Sequence, residues 1–244
     1  AILLRHRRHH AAAERTALRE LHALGERQRL IVPGRVAVVI AHGDLEVTPA
    51  LREAVARADL IVAADGGSLH AVAQGWWPHL LVGDLDSTPP DVQRQIEAHG
   101  GQTLRYPTHK DETDTELALR VALERGAEDI YLAGATGDRV DHSLANLLLL
   151  GLPEMARVTI LAGRQRVTAL RGSGEIRGHV GDVVSLVPIG GDVTGIWTEG
   201  LEYPLRGDTL RFASPRGISN VLTAPMATVR LASGVLLVIV TPGS

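Results

Sequence analysis

The sequence predicts an α/β domain with a doubly wound, mostly parallel sheet, followed by an all-β sandwich. Three observations lead there. Short, fully apolar runs alternate with helical patterns from residue 35 to about residue 155, as in a parallel sheet covered on both faces. Beyond that point β-rich runs punctuated by Gly and Pro take over, and no helical pattern interrupts them. The 244 residues suffice for two domains of moderate size, each with its own core. The expected division is 1–34 as an N-terminal extension, 35–155 as the α/β domain and 156–244 as the β-sandwich.

The extension carries a basic, histidine-bearing run, RHRRHH at 5–10, and a helical pattern at 11–30. It begins without Met and is read as a poorly ordered segment with no assigned function. In the α/β part VAVVIA at 36–41 reads as a strand, 49–57 as a helix and LIVAA at 60–64 as the next strand. A helix at 68–75, a strand at 80–82, a helix at 90–99 and a strand near 103–106 follow. The pattern closes with a helix at 114–125, the strand DIYLA at 129–133 and a helix at 141–150. In the second part strands are expected at 158–162, 166–170, 182–188, 194–197 and 209–212. A final hairpin over 228–240 is expected to turn at Ala232-Ser233-Gly234.

Composition removes several classes of function. The chain has no cysteine, which excludes disulfides, thiolate zinc sites and cysteine nucleophiles and fits a cytoplasmic protein. A net charge of −3 and 3% aromatic residues leave neither a basic footprint nor stacking platforms for nucleic acid. The longest apolar runs, at 144–152 and 235–240, fall short of the ~18 residues of a membrane span. No P-loop, Rossmann fingerprint, zinc helix or nucleophile elbow occurs.

Four clusters lie where such a sheet places its chemistry, after the carboxyl ends of strands. Asp65-Gly66-Gly67 follows LIVAA; its glycines would let a backbone approach a phosphate, although the same tripeptide is an ordinary turn. In Gly83-Asp84-Leu85-Asp86-Ser87 an extended backbone would point Asp84 and Asp86 the same way, ~6–7 Å apart. Mg²⁺ is the natural partner of such a pair, an Asx turn the structural alternative. The run 110–116 holds a capping box, Thr113 with Glu116, which leaves Lys110, Asp111 and Asp114 unexplained. Lys110 suits a polyphosphate and Asp114 a metal. Between 134 and 142 Asp141 reads as an N-cap, Arg139 as a guanidinium for phosphate or carboxylate, and His142 as an acid–base or packing residue. Together the clusters point to metal-assisted phosphoryl or diphosphoryl transfer.

In this order they resemble the thiamine pyrophosphokinase family: ADGG (64–67), GDLDS (83–87), KDETDTELAL (110–119) and GATGDRVDHSLAN (134–146), with SLVPIGGDVTGIWTEGLEYPL (185–205) and GISN (217–220) in the β half. The resemblance implies a homodimeric, ATP- and Mg²⁺-dependent diphosphotransferase acting on thiamine. It implies Asp84, Asp86 and Asp114 as metal ligands and catalytic groups with Arg139. Asp65, Gly66, Gly67, Ser87, Lys110, Thr113, Arg139, Asp141, His142 and Asn146 are implied around the nucleotide, and Tyr203, Ser219 and Asn220 around thiamine. Trp197 is expected in the sandwich core. Asp138 stands where the family has a second glycine, Leu85 where it has phenylalanine, and Val221 where bacterial relatives often have glutamate. Two other readings stand beside this one: a diphosphokinase of the same fold acting on another alcohol such as a hydroxymethylpterin, and a non-catalytic nucleotide- or thiamine-binding regulator.

Overall fold

A computed structural model describes residues 36–243, so the reading of the extension at 1–34 lies outside the described residues. Strand β1 (Val36–Ile40), helix α1 (Pro49–Arg57), β2 (Leu60–Ala64), α2 (Gly67–Ala73), β3 (Leu80–Gly83), α3 (Pro90–Ala98) and β4 (Gln102–Arg105) alternate as expected. Helix α4 (Asp114–Glu124), β5 (Asp129–Ala133), α5 (Val140–Leu149) and β6 (Val158–Ala162) complete the α/β part. The strands run parallel in the order β4-β3-β2-β1-β5-β6.

Both faces of this sheet must be covered, and the sequence supplies apolar residues to each. Val38, Ile40, Ile61 and Ala133 share one face, where Leu51 and Ala54 of α1 and Ala71 of α2 pack on them. Ala63 and Leu81 extend that face under Val92 and Ile96 of α3. The chain steps outward from β1 to β4 and then returns past β1 to β5. Right-handed crossovers require the helix of the return step to lie on the opposite face. That helix is α4, which packs on β1, β2 and β3 and buries Leu117, Leu119 and Val121. The reversal beside β1 opens a crevice at the carboxyl ends of β1 and β5.

Helix α1 shows how locally these elements are set. Thr48 accepts a hydrogen bond from the Leu51 amide at 3.2 Å, and proline occupies the first turn. Replacing Thr48 by Ala is expected to remove about 1 kcal/mol of stability, lowering Tm by about 2–4 °C with kinetic constants unchanged.

The β half departs from expectation in several places. The 158–162 strand, assigned by pattern to the sandwich, pairs in parallel with β5 as the last strand of the α/β sheet. It then turns at Gly163-Arg164 into antiparallel β7 (Gln165–Leu170), so hydrogen bonding continues unbroken into the second half. After β8 (Ser173–Arg177), the 17-residue β9 (Val183–Glu199) joins segments expected as separate strands. It bends at Gly190 and Gly191, whose φ values are 72° and 151°. The shorter strands β10 (Arg206–Leu210), β11 (Asn220–Val221) and β12 (Met226–Arg230) lead to β13 (Ser233–Thr241).

The expected terminal hairpin does not form. β12 pairs with β8 and with 197–199 of β9, whereas β13 pairs with β7 and chiefly with 183–189 of β9. The chain at 231–232 therefore crosses between layers. Between those layers Val184, Leu186, Val193, Ile196, Val229 and Leu236 form the sandwich core. Trp197 is not in it: its exposure is 44%. A bulge at Gly195, φ 62°, shifts the alternation so that Val193, Ile196 and Thr198 face inward and Trp197 faces out.

Candidate active site

The carboxyl ends of β1, β2, β3 and β5, with the first turns of α4 and α5, line one cleft of about 390 Å³. Its acidic floor comes from three elements. Oxygen atoms of Asp65, Asp84 and Asp114 all lie within 4.8 Å of one another. Gly83 permits this approach, because a Cβ there would fall 3.0 Å from the Asp65 Cβ and 3.1 Å from Asp114 Oδ1. Lys110 sits among these groups, its Nζ 3.0 Å from Asp114 and 3.8 Å from Asp84, and donates to the Pro107 carbonyl.

The sequence pattern paired Asp84 with Asp86, but the structure gathers Asp84 and Asp114 with Asp65 instead. The reason is local. Leu85 adopts φ 67° and buries its side chain against α3, so 84–86 is not extended. The Asp86 amide donates to Asp84 Oδ1, and its exposed carboxylate accepts from the Ser87 hydroxyl. Asp86 and Ser87 still line the cleft.

Asp65 is nearly buried and turns the chain out of β2 with φ 41°. Its carboxylate accepts hydrogen bonds from the Ser87 amide at 3.2 Å and the Thr88 hydroxyl at 2.9 Å. Thr88 in turn meets Ser68 at 3.1 Å, so Asp65 ties the loop after β3 to α2. Burial pushes its carboxyl upward most, and Asp114 adds to the push, against the pull of the bonds from Thr88 and Ser87.

The paired glycines make room for protein atoms. A Cβ on Gly66 would fall 2.2 Å from the His42 ring, and one on Gly67 2.0 Å from the Ile40 carbonyl. Thr113 is the N-cap of α4, accepting from the Glu116 amide at 3.1 Å, while Glu116 Oε1 turns to Arg120. Asp141 is not a cap, since α5 starts at Val140 with Arg139 in the cap position. Asp141 instead grips Arg139 with bonds of 2.9 and 2.6 Å, in the open. That guanidinium holds the Asp141 carboxyl far below the usual carboxylate range.

His142 is exposed in the cleft. Asn146 is buried and donates to the Ala135 carbonyl at 2.7 Å, and Ser143 Oγ accepts from the Gly137 amide at 3.0 Å. Together they hold the loop after β5. Sequence reasoning missed Ser143, and also His42 and Gly43 at the end of β1. The signal for the last two was available, since they follow a fully apolar, fully buried strand.

Tyr203, Ser219 and Asn220 come together away from this cleft. Asn220 clamps the Tyr203 backbone, accepting from its amide at 3.0 Å and donating to its carbonyl at 2.7 Å. The clamped Tyr203 has an exposure of 63%. Gly200, φ 79°, ends β9, after which Leu201 turns inward to bridge Leu222. Ser219, φ 61°, is held by a bond from its amide to Ser185 Oγ.

Two family models match the chain: "Thiamin pyrophosphokinase, catalytic domain" over residues 51–161, and "Thiamin pyrophosphokinase, vitamin B1 binding domain" over 175–236. A curated thiamine pyrophosphokinase of Bacillus subtilis is 29% identical over 205 residues, 82% of this chain and 96% of its own. A solved structure of the Bacillus subtilis thiamine pyrophosphokinase aligns with a TM-score of 0.73 at 26% identity, covering 84% of this chain and 99% of the other. One from Geobacillus thermodenitrificans aligns at 0.72 and 28%, covering 86% and 98%.

Proposed function

Because the chain belongs to the thiamine pyrophosphokinase family, we propose that its cleft carries out ATP-dependent diphosphate transfer to the hydroxyl of thiamine. The thiamine oxygen attacks the β-phosphorus of ATP, and AMP leaves. The observation that carries this reading is the gathering of Asp65, Asp84 and Asp114 beside Lys110 in the cleft where the sheet reverses its order.

These residues fit Mg²⁺. The donors are hard carboxylate oxygens, and Asp114 Oδ1, buried and without a geometrically formed hydrogen bond, faces a single cation among the described residues, the Lys110 ammonium at 3.0 Å. Bound there, Mg²⁺ would neutralise charge on the phosphates during transfer. Asp86, the other expected ligand, is exposed on the rim of the cleft, where a water could join it to the ion. Lys110 supplies a point charge for the polyphosphate. Arg139, held by Asp141 in the open, is placed to exchange that carboxylate for a phosphate, which its fork matches equally well. We place the domain boundary in the turn at 163–164, and a cytoplasmic location, which the cysteine-free composition suits, belongs to the same proposal.

The exposed ring of Tyr203 is the proposed support for the thiamine pyrimidine, with Asn220 as its clamp. Loss of the ring in Tyr203→Ala is expected to raise KM for thiamine about tenfold, or ~1–2 kcal/mol, and KM for ATP much less. Tyr203→Phe keeps the face and should stay near wild type. Equal effects on both KM values would remove Tyr203 from the thiamine site. The reading as a whole is tested by incubating the protein with thiamine, ATP and Mg²⁺ and following AMP together with thiamine diphosphate. AMP release that needs a different alcohol would move the acceptor, and no AMP release with any alcohol would overturn the transferase.

A further inference from the structure

At the end of β1 three backbone amides are already committed. The amides of Ala41, Gly43 and Asp44 donate to the carbonyls of Ala133, Gly134 and Thr136 at 2.9, 2.8 and 2.7 Å. The Gly43 carbonyl accepts from His70 Nε2 at 2.8 Å, which places a proton on that nitrogen. The side chain of His42 is available to a ligand here. Its ring is exposed in the cleft and makes no hydrogen bond among the described residues. It is nevertheless oriented, resting on Gly66 and standing edge-on to His70 at 6.0 Å and 62°.

The position of His42 along the cleft says what it would meet. The acidic cluster stands at the ends of β2 and β3, and β1 comes next before β5. At the usual strand spacing, the end of β1 lies about 5 Å beyond that of β2 and about 10 Å beyond that of β3. A nucleotide anchored by its outer phosphates at the carboxylates and lying along the cleft must pass over β1 with its inner phosphate and sugar. There it meets the exposed imidazole of His42.

We infer that His42 is a nucleotide contact that hydrogen-bonds the AMP half of ATP, at the α-phosphate or ribose, and sets the affinity for the leaving group. The inference rests on the diphosphate-transfer reading above. Gly66 is part of the device, because a side chain at that position would displace the ring. Its backbone is helical, φ −58° and ψ −14°, so alanine there is conformationally acceptable and acts through the steric contact.

The test is direct titration of the full chain with AMP and, separately, with magnesium pyrophosphate, followed by calorimetry. His42→Ala is expected to raise Kd for AMP about tenfold and leave that for magnesium pyrophosphate within about twofold. His42→Gln, which keeps a polar donor, should recover part of the loss. Gly66→Ala should weaken AMP binding in the wild-type background and add nothing once His42 is Ala. An AMP affinity unchanged in a folded His42→Ala protein would overturn the inference, as would equal losses for AMP and pyrophosphate. If the wild-type protein binds neither AMP nor ATP, the nucleotide reading itself falls, and this inference falls with it.

Discussion

Asn in place of Asp114 is expected to lower kcat by on the order of 10²-fold or more while the protein keeps its fold. Asp114 is where the acidic cluster is least replaceable. One of its oxygens is buried against the Lys110 ammonium at 3.0 Å, and its neighbours in the cluster come from two different strand ends. An amide of the same shape fills the space but contributes no charge to an ion or to Lys110. Three carboxylates this close repel each other, so neutralising one should leave the metal-free melting temperature unchanged or slightly higher. The metal response separates this from a simple folding defect. Wild type should gain stability on adding Mg²⁺, and the Asp114→Asn protein should gain little. Near-normal turnover at saturating Mg²⁺ would mean that the cluster is not the metal site.

The α/β half was legible because its signals are local. LIVAA is apolar and buried throughout, DIYLA buries Ile130, Leu132 and Ala133, and Thr113 announces a helix start through its cap. The identity of the chemistry at each strand end followed from the same logic. What pattern could not deliver was which carboxylates meet. Asp84 and Asp86 looked like a pair because spacing assumes extended backbone, and the left-handed Leu85 breaks that assumption. Asp65 reaches the cluster through tertiary pairing of β2 with β3, which no spacing encodes. The β half failed for a related reason. Trp197, expected in the sandwich core, faces out because glycines at 190, 191 and 195 bend and bulge β9. The hairpin at 232–234 looked right locally, but both of its strands found better partners in β9 and its neighbours.

Mixing two inactive variants is expected to restore activity, because we propose that each active site is shared between two copies of the chain. Two observations motivate this. Tyr203, Ser219 and Asn220 do not line the cleft that holds the carboxylates, so one chain presents the two halves of the site in different places. Directly after Arg139, α5 exposes Val140, Leu144 and Leu148, one stripe at helical spacing that none of the described residues covers. A two-fold partner would cover the stripe and could carry its own Tyr203 to the cleft, with each contact made twice. Asp114→Asn removes the catalytic half, and Tyr203→Ala combined with Asn220→Ala removes the thiamine platform and its clamp. Refolded together, these proteins should form mixed dimers in which one of the two composite sites is wild type. With random pairing half of the dimers are mixed, so at thiamine well below KM activity should approach roughly a quarter of wild type from two nearly silent parents. Native mass spectrometry reports whether the mixed dimers exist. Mixed dimers without recovered activity would place each complete site within a single chain, and the exposed stripe on α5 would then need another explanation.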